Sequence, residues 1–207
     1  MRNLRNLFSK ENIKNSIKQT RIQAILFNVL IFPLIYFLPP EYLGLSIASL
    51  GYPSGLFLNT FIHAGILHIA MNMLVTYQFG ELIDELYQKK EQYLLYFALG
   101  IPITAIMYLY IYTLQPEILL VGYSGIAMGL VGACFRFFPK PAKKSIALQL
   151  IIFHVIIIAF ELSVSWEAHL TGFVFGMLYS YNRFLYKQPQ NLPDDYDGED
   201  NRSIANF

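Results

Sequence analysis

The positively charged residues of this 207-residue chain are confined to four short segments. Of the fifteen Lys and Arg residues, six precede residue 22, two lie at residues 89–90, four lie within residues 136–144 and three follow residue 182. The stretches between these segments are apolar and carry few charges of either sign. A charged side chain is costly inside a bilayer, and a membrane-spanning helix needs about 20 largely apolar residues. The pattern therefore indicates a chain that crosses a membrane several times.

The composition agrees with a membrane environment. Only 14% of the residues are charged, 55% are hydrophobic and the mean hydropathy is +0.42, whereas a soluble domain carries about 25% charged residues. These values exclude a disordered chain, a nucleic-acid-binding protein and an ordinary cytosolic enzyme. The single Cys134 excludes an internal disulfide and a cysteine-built metal site. Because the HExxH zinc motif is also absent from the sequence, we expect no metal and no cofactor.

Six apolar stretches are predicted to span the membrane, and a polar-leaning loop that ends near residue 58 precedes the second. The spans are, in chain order, Ile22–Leu38, Phe61–Gly80, Gln92–Leu114, Ile118–Phe135, Ser145–Phe160 and Ala168–Asn182, the last extended by residues 184–186. With six spans, every basic residue falls on one side of the membrane. The other side holds only acidic charges, at Glu41, Glu117, Glu161 and Glu167. The positive-inside rule then places both termini in the cytoplasm.

This topology divides the chain into three segments. Residues 1–21 form a basic cytoplasmic segment, residues 22–187 form a six-helix membrane domain, and residues 188–207 form an acidic cytoplasmic tail that is predicted to be disordered. No small-x-small cleavage site follows the first span, which predicts a signal-anchor helix rather than a cleaved signal peptide. The two halves of the chain show no internal repeat, which argues against a secondary transporter.

Polar side chains lie in the outer halves of spans two, four and six, all of which run from the outside to the inside. Span two carries His68 and Asn72 on one helix face, span four carries Ser124, and span six carries His169. If span four is helical from its start, Ser124 lies about 10 Å below the outer surface, seven residues past Glu117. A hydroxyl, an imidazole and side-chain donors at similar depth suit a nucleophile, a base and an oxyanion site.

Each of these residues also has an ordinary structural explanation. A serine in a membrane helix commonly bonds back to its own helix, and a histidine at a helix mouth is commonly interfacial. A His/Asn pair four residues apart can simply bond to neighbouring helices. His154, in the middle of span five, is interpreted as a packing or hydrogen-bonding residue. The coincidence of depth across three helices favours a shared site over the separate explanations.

Small residues recur every four positions beside two of these candidates. Gly125 and Gly129 follow Ser124, while Gly172 and Gly176 follow His169. Such spacing lets the backbones of two membrane helices approach closely. Because a serine side chain is short, a hydrogen bond between Ser124 and His169 requires an approach of this kind.

Three motifs resemble those of the rhomboid intramembrane serine proteases, in the same order and on a six-span frame. Residues 63–72 read HAGILHIAMN, similar to HxxxxHxxxN of that family. Residues 122–125 read GYSG, similar to GxSG, and residues 168–176 read AHLTGFVFG, similar to AHxxGxxxG. The resemblance covers residues 22–187 and implies an all-α membrane protein with six transmembrane helices in a rhomboid-like bundle.

The resemblance also implies a role for each matching residue. Ser124 is the expected nucleophile and His169 its general base, and the side chains of His68 and Asn72 with the backbone N–H of Ser124 are the expected oxyanion site. Structural roles near the site are expected for His63, Gly122, Gly125, Met128 and Gly172. His63, placed on the same helix five residues before His68, is expected to point about 140° away from it.

Two features differ from the pattern of the family. The first outer loop often carries Trp-Arg, where this chain has Ser54-Gly55. An aromatic ring often packs on the histidine one turn after the serine, where this chain has Met128. A thioether can still contact an imidazole face, so we expect activity to survive.

The function expected from this reading is a serine endopeptidase that cuts transmembrane helices of other membrane proteins near the outer face. Glu167 is placed on a loop, so the prediction is a Ser-His dyad whose imidazole is held by contacts with neighbouring side chains rather than by a carboxylate. The alternative is a catalytically silent relative that binds transmembrane clients. The expected partners are membrane-protein substrates and the lipid bilayer, without nucleic acid. The expected location is the cell membrane, as a multi-pass protein of a bacterial plasma membrane.

Overall fold

The structure, a computed structural model, describes residues 18–159 and 165–186. Most of the predicted basic segment and the whole predicted acidic tail lie outside the described residues. Within the described part all regular secondary structure is helical, and the β-type contact there is an isolated antiparallel bridge between Leu45 and Leu120. The predicted all-α class is therefore confirmed for this part of the chain.

The helices differ greatly in length. They are α1 (Thr20–Ile31), α2 (Pro40–Leu43), α3 (Ser54–Leu58), α4 (Ile66–Leu86), α5 (Lys89–Tyr93), α6 (Gly100–Leu114), α7 (Ser124–Phe135), α8 (Lys140–Ala159) and α9 (Trp166–Tyr186). Short 3₁₀ helices cover Phe32–Tyr36 and Ile47–Leu50, and a π-helical turn at Leu94–Ala98 links α5 to α6.

One helical stretch of the described residues is long and apolar enough to cross a membrane on length and composition alone. It runs through α5, the π-helical turn and α6, from Lys89 to Leu114. The helical run Thr20–Tyr36 and helix α7 are apolar but shorter. The arrangement of six spans with cytoplasmic termini therefore stays a prediction.

Helix α7 begins six residues later than predicted. Span four is predicted to start at Ile118, but the helix begins at Ser124, so the predicted depth of Ser124, which counts seven helical residues after Glu117, is wrong. Two features keep the preceding residues out of the helix: Gly122 has a φ of 136°, and Leu120 exchanges two backbone hydrogen bonds of 2.8 Å with Leu45. With 12 residues, α7 is about 18 Å long, so Ser124 lies at the end of a short helix.

Helix α4 also begins later than predicted, at Ile66 instead of Phe61, and continues to Leu86. His63 precedes the helix, so the helical angle that separated it from His68 does not apply. The His63 ring instead packs edge-on against the His68 ring, with centroids 5.2 Å apart, and it is fully buried.

The opposite end of α4 is joined to α1 by a cluster of charges. A guanidinium nitrogen of Arg21 lies 3.5 Å from Glu81, and its Nε lies 3.6 Å from Asp84. The same guanidinium lies over the ring of Tyr77 at 4.9 Å. Only 6% of Arg21 is exposed, so this residue, predicted to lie in the basic segment before the first span, is part of the folded bundle.

Helix α7 lies at the centre of the fold, because every residue from Gly125 to Cys134 is buried. Its closest neighbour is α9. A Cβ atom added at Gly172 would overlap the carbonyl oxygen of Gly125, and one added at Gly176 would overlap that of Gly129. The backbones of α7 and α9 thus touch at the glycines whose spacing predicts a close approach.

We predict that Gly172→Ala destabilises the protein by about 1–3 kcal/mol, because α7 and α9 must separate to admit the methyl group. The sign of the change in stability is informative, because by helix propensity alone alanine would stabilise a helix by about 1 kcal/mol relative to glycine. Thermal unfolding in detergent micelles measures the change. The control is Gly51→Ala, because Gly51 has an ordinary φ of −81° and a Cβ atom there makes only an ordinary contact, at 3.4 Å from the carbonyl oxygen of Ala48. An unfolding temperature for Gly172→Ala at or above that of the wild type would contradict the close contact.

Candidate active site

His68 and Ser124 both lie beside Gly122. A Cβ atom built on Gly122 would be 2.9 Å from Nε2 of His68 and 3.6 Å from Oγ of Ser124. The positive φ of this residue and the lack of room both require glycine. Glycine therefore lets the ring edge of His68 reach the backbone that leads to the serine.

A backbone contact orients the His68 ring. The N–H of Ala64 donates to Nδ1 of His68 at 3.4 Å. A neutral imidazole has one N–H, so an Nδ1 that accepts leaves the proton on Nε2. The edge of His68 that faces Gly122 is thus assigned as a donor.

The residues before Ser124 are fixed by three separate contacts. Leu120 pairs with Leu45, the N–H of Gly122 donates to the carbonyl oxygen of Asn59 at 2.8 Å, and the buried Tyr123 hydroxyl donates to the carbonyl oxygen of Tyr96 at 2.8 Å. Because these partners come from the outer loop and from the third predicted span, the position of Ser124 is set by tertiary structure.

Asn59 is itself anchored within the bundle. Its side-chain amide donates to the carbonyl oxygen of Gly55 at 2.8 Å and lies 3.2 Å from the hydroxyl of Thr104 in α6. Neither Asn59 nor Thr104 stood out in the sequence, because each is a single polar residue without a motif. Together they form a buried polar support for the segment that leads to Ser124.

Ser124 lies on the wall of a cavity of about 540 Å³. His68 and Gly122 line the same cavity, and other polar groups on its wall come from Asn59, Thr60, Thr104, Tyr110, Gln115, Ser165 and Glu167. A buried water molecule needs two to four polar partners. A cavity of this size, with this many polar groups on its wall, can therefore hold several water molecules. The serine hydroxyl therefore borders a space that suits water.

Glu167 lies in the first turn of α9, which corrects its predicted place on a loop. Its carboxylate accepts from the hydroxyl of Tyr110 at 2.6 Å and from the hydroxyl of Ser165 at 3.0 Å. Ser165 Oγ also accepts from the N–H of Ala168 at 3.2 Å, as the side chain of a helix N-cap does. These bonds fix the start of α9 just before His169.

His169 is 4% exposed, and its imidazole has a partner that is not among the predicted site residues. Nδ1 of His169 lies 3.2 Å from Nε2 of His154 in α8, and the two rings meet edge-on. The expectation that neighbouring side chains alone hold this imidazole is incomplete, since a hydrogen bond also holds it. The interpretation of His154 as a packing or hydrogen-bonding residue is confirmed.

The backbones that carry Ser124 and His169 come together. A Cβ atom at Gly125 would lie 3.3 Å from the carbonyl oxygen of Ala168, so each candidate is one residue from the contact between α7 and α9. The side chains, however, line different cavities. His169 lines a second, apolar cavity of about 350 Å³, together with Met128 and His154.

Asn72 lies one turn beyond His68 on α4 and is buried. Its amide nitrogen has no hydrogen-bond partner among the described residues. A buried donor without a partner is costly unless a ligand or water satisfies it. The side-chain amide of Asn72 can therefore donate a hydrogen bond to a ligand or a water molecule, on the helix face that carries His68.

Comparison with known proteins identifies the class to which this fold and site belong. The family model for the Rhomboid domain matches residues 50–186, about two thirds of the chain. The chain therefore belongs to the rhomboid family, as its motifs predicted, and is a membrane protein. A search of the curated proteins found no match.

Proposed function

We propose that this protein is an intramembrane serine endopeptidase, which hydrolyses peptide bonds in or beside transmembrane helices of other membrane proteins. One observation carries the proposal. Ser124 borders a cavity with several polar groups on its wall, beside the Nε2–H edge of His68, while the backbone next to Ser124 touches the backbone next to His169. Most members of the rhomboid family are proteases of this type, and the family also includes inactive members.

In the proposed reaction, Ser124 is the nucleophile and His169 the general base. The hydroxyl of Ser124 passes its proton to Nε2 of His169 as Oγ attacks the substrate carbonyl, and His169 then protonates the leaving amine. Water from the cavity beside Ser124 hydrolyses the acyl-enzyme in a second round of the same proton transfers. Catalytic hydrogen bonds are often long in a free enzyme and tighten when substrate binds. The proposed roles are therefore compatible with a free protein in which the side chains of Ser124 and His169 line different cavities.

Three donors are proposed to stabilise the oxyanion of the tetrahedral intermediate. They are Nε2–H of His68, the side-chain amide of Asn72 and the backbone N–H of Ser124. The late start of α7 supports the third, because the first N–H groups of a helix have no intrahelical acceptor and carry the positive end of the helix dipole. The unpartnered amide of Asn72 supports the second.

The cavity beside Ser124 addresses the scarcity of water in a bilayer. The backbone of a substrate helix is already hydrogen-bonded, so the scissile bond becomes accessible only where that helix unwinds. Donors that line the cavity then replace the intrahelical bonds that the substrate loses.

The membrane arrangement is part of the proposal. Residues 22–187 form the six-span domain, and residues 1–21 and 188–207 lie in the cytoplasm of a cell whose plasma membrane holds the protein; a bacterial membrane suits this compact core. The confinement of all fifteen basic residues to one side supports this topology. The catalytic residues then lie near the outer face.

We predict that a fluorophosphonate probe labels the purified wild type and does not label Ser124→Ala. His169→Ala should react about 10²–10⁴ times more slowly, because it lacks the general base. Mass spectrometry of the labelled protein measures both rates, and Ser180→Ala, a buried serine on α9, should label like the wild type. Equal labelling of wild type, Ser124→Ala and His169→Ala would rule out the protease. A folded wild type that fails to label and yet retains a transmembrane peptide would favour the silent, client-binding relative.

His68→Ala and Asn72→Ala are each expected to lower kcat by about 10²–10³ with little change in KM, because an oxyanion donor acts in the transition state. Cleavage of a fluorogenic transmembrane peptide in proteoliposomes measures this effect. Gln78→Ala, at an exposed position further along α4, is the control. A kcat within twofold of the wild type for both variants would remove the two side chains from the oxyanion site.

Single cysteines at exposed positions test the topology, because the natural Cys134 is buried. A membrane-impermeant maleimide should label Glu41→Cys and Glu117→Cys on intact cells, and Lys90→Cys only after the membrane is permeabilised. Labelling is read as a mass shift on a gel, with the wild type as background. The reverse pattern would invert the proposed orientation.

A further inference from the structure

His154 makes two hydrogen bonds through its two ring nitrogens. Nδ1 lies 2.7 Å from the carbonyl oxygen of Leu150, one turn earlier in α8, and Nε2 lies 3.2 Å from Nδ1 of His169. The rings are nearly perpendicular, at 86°, with centroids 5.3 Å apart. The second bond joins α8 to α9 at the wall of the apolar cavity.

With both rings neutral, these two bonds assign the proton on every nitrogen of the pair. A carbonyl oxygen only accepts, so Nδ1 of His154 carries the hydrogen and its Nε2 carries a lone pair. That lone pair accepts a hydrogen bond, so Nδ1 of His169 is the donor. A neutral His169 with its hydrogen on Nδ1 has its lone pair on Nε2, and an imidazole in this form is ready to take a proton there.

The two rings lie in apolar surroundings. Apart from the two histidines, the cavity is lined almost entirely by apolar side chains, among them Met128, Phe135, Leu150 and Phe173. A charged group without a partner is costly in such a place. The nearby carboxylate of Glu167 is bound by Tyr110 and Ser165.

We propose that His154 is a positioning residue, which holds His169 in the tautomer that makes Nε2 the base for Ser124. The inference rests on the proposed function, since it assigns a third member to the same site. When the proton of Ser124 moves to Nε2 of His169, the hydrogen on Nδ1 stays in place. The bond to His154 then becomes a charge-assisted bond from an imidazolium, which is stronger. The proton on Nε2 goes on to the leaving amine.

A neutral imidazole suits this position better than a carboxylate. An ionised carboxylate would have to be taken out of water into an apolar wall, which is costly. A histidine anchored to the carbonyl oxygen of Leu150 supplies an acceptor of fixed direction without a buried charge. In other serine hydrolases an aspartate fixes the tautomer of the base in the same way.

The first test measures the tautomer of His169 in a protein that cannot react. Ser124→Ala protein with ¹⁵N-labelled histidine should show Nδ1 of His169 protonated and Nε2 unprotonated in its ¹⁵N chemical shifts. Adding His154→Phe, which keeps a ring but removes the acceptor, should shift His169 to a mixture of tautomers. A His169 protonated at Nε2 in the protein that retains His154 would overturn the inference.

The second test measures the rate of peptide cleavage. We expect His154→Phe to lower kcat about 10–100-fold, the usual effect of a residue that orients a reactive group, with KM within twofold. His154→Gln should recover most of the rate, because its amide can donate to Leu150 and accept from His169. Val155→Phe, which adds the same ring at the next, exposed position of α8, should match the wild type. Thermal unfolding of each variant confirms that it is folded.

The outcomes separate the two proposals. Equal kcat for His154→Phe and the wild type would overturn the role of His154 and leave the protease intact. An inactive wild type would overturn the proposed function, and with it the role of His154 in the reaction. The tautomer found by NMR would still decide whether His154 sets the protonation of His169.

Discussion

The contact between the backbones of α7 and α9 is the constraint on which the rest of the structure depends. Along it, carbonyl oxygens of Gly125 and Gly129 occupy the places where side chains at Gly172 and Gly176 would begin. Lipid offers no hydrophobic driving force between helices, so close van der Waals contact must hold the pair together. Because the proposed nucleophile and base each lie one residue from this contact, the geometry that stabilises the bundle also sets the distance between them.

Much of this arrangement is predictable from the sequence. Glycines four residues apart indicate where two helices touch, and the motifs around His68, Ser124 and His169 indicate the family. These features are local, because the residues that each pattern needs lie within one short stretch of the chain. The helical class of the described residues follows from long apolar stretches for the same reason.

What the sequence did not predict depends on contacts between distant residues. The start of α7 is set partly by the pairing of Leu120 with Leu45, and such an isolated bridge leaves no periodic pattern. The bond between His154 and His169 joins two helices across fifteen positions of the chain. An ionisable residue in the middle of a predicted span was the available signal for His154, but span five by itself does not show which neighbour that residue faces.

The segment between α2 and α4 is joined to Ser124 more closely than its distance along the chain suggests. A side chain at Gly55 would collide with the carbonyl oxygen of Gly44, the residue before the bridge at Leu45, and Asn59 links Gly55 to Gly122 through hydrogen bonds. This segment and the residues that lead to Ser124 are thus joined by close contacts and hydrogen bonds. Exchanging this segment with that of a relative that has arginine at position 55 requires the partner positions to be exchanged with it.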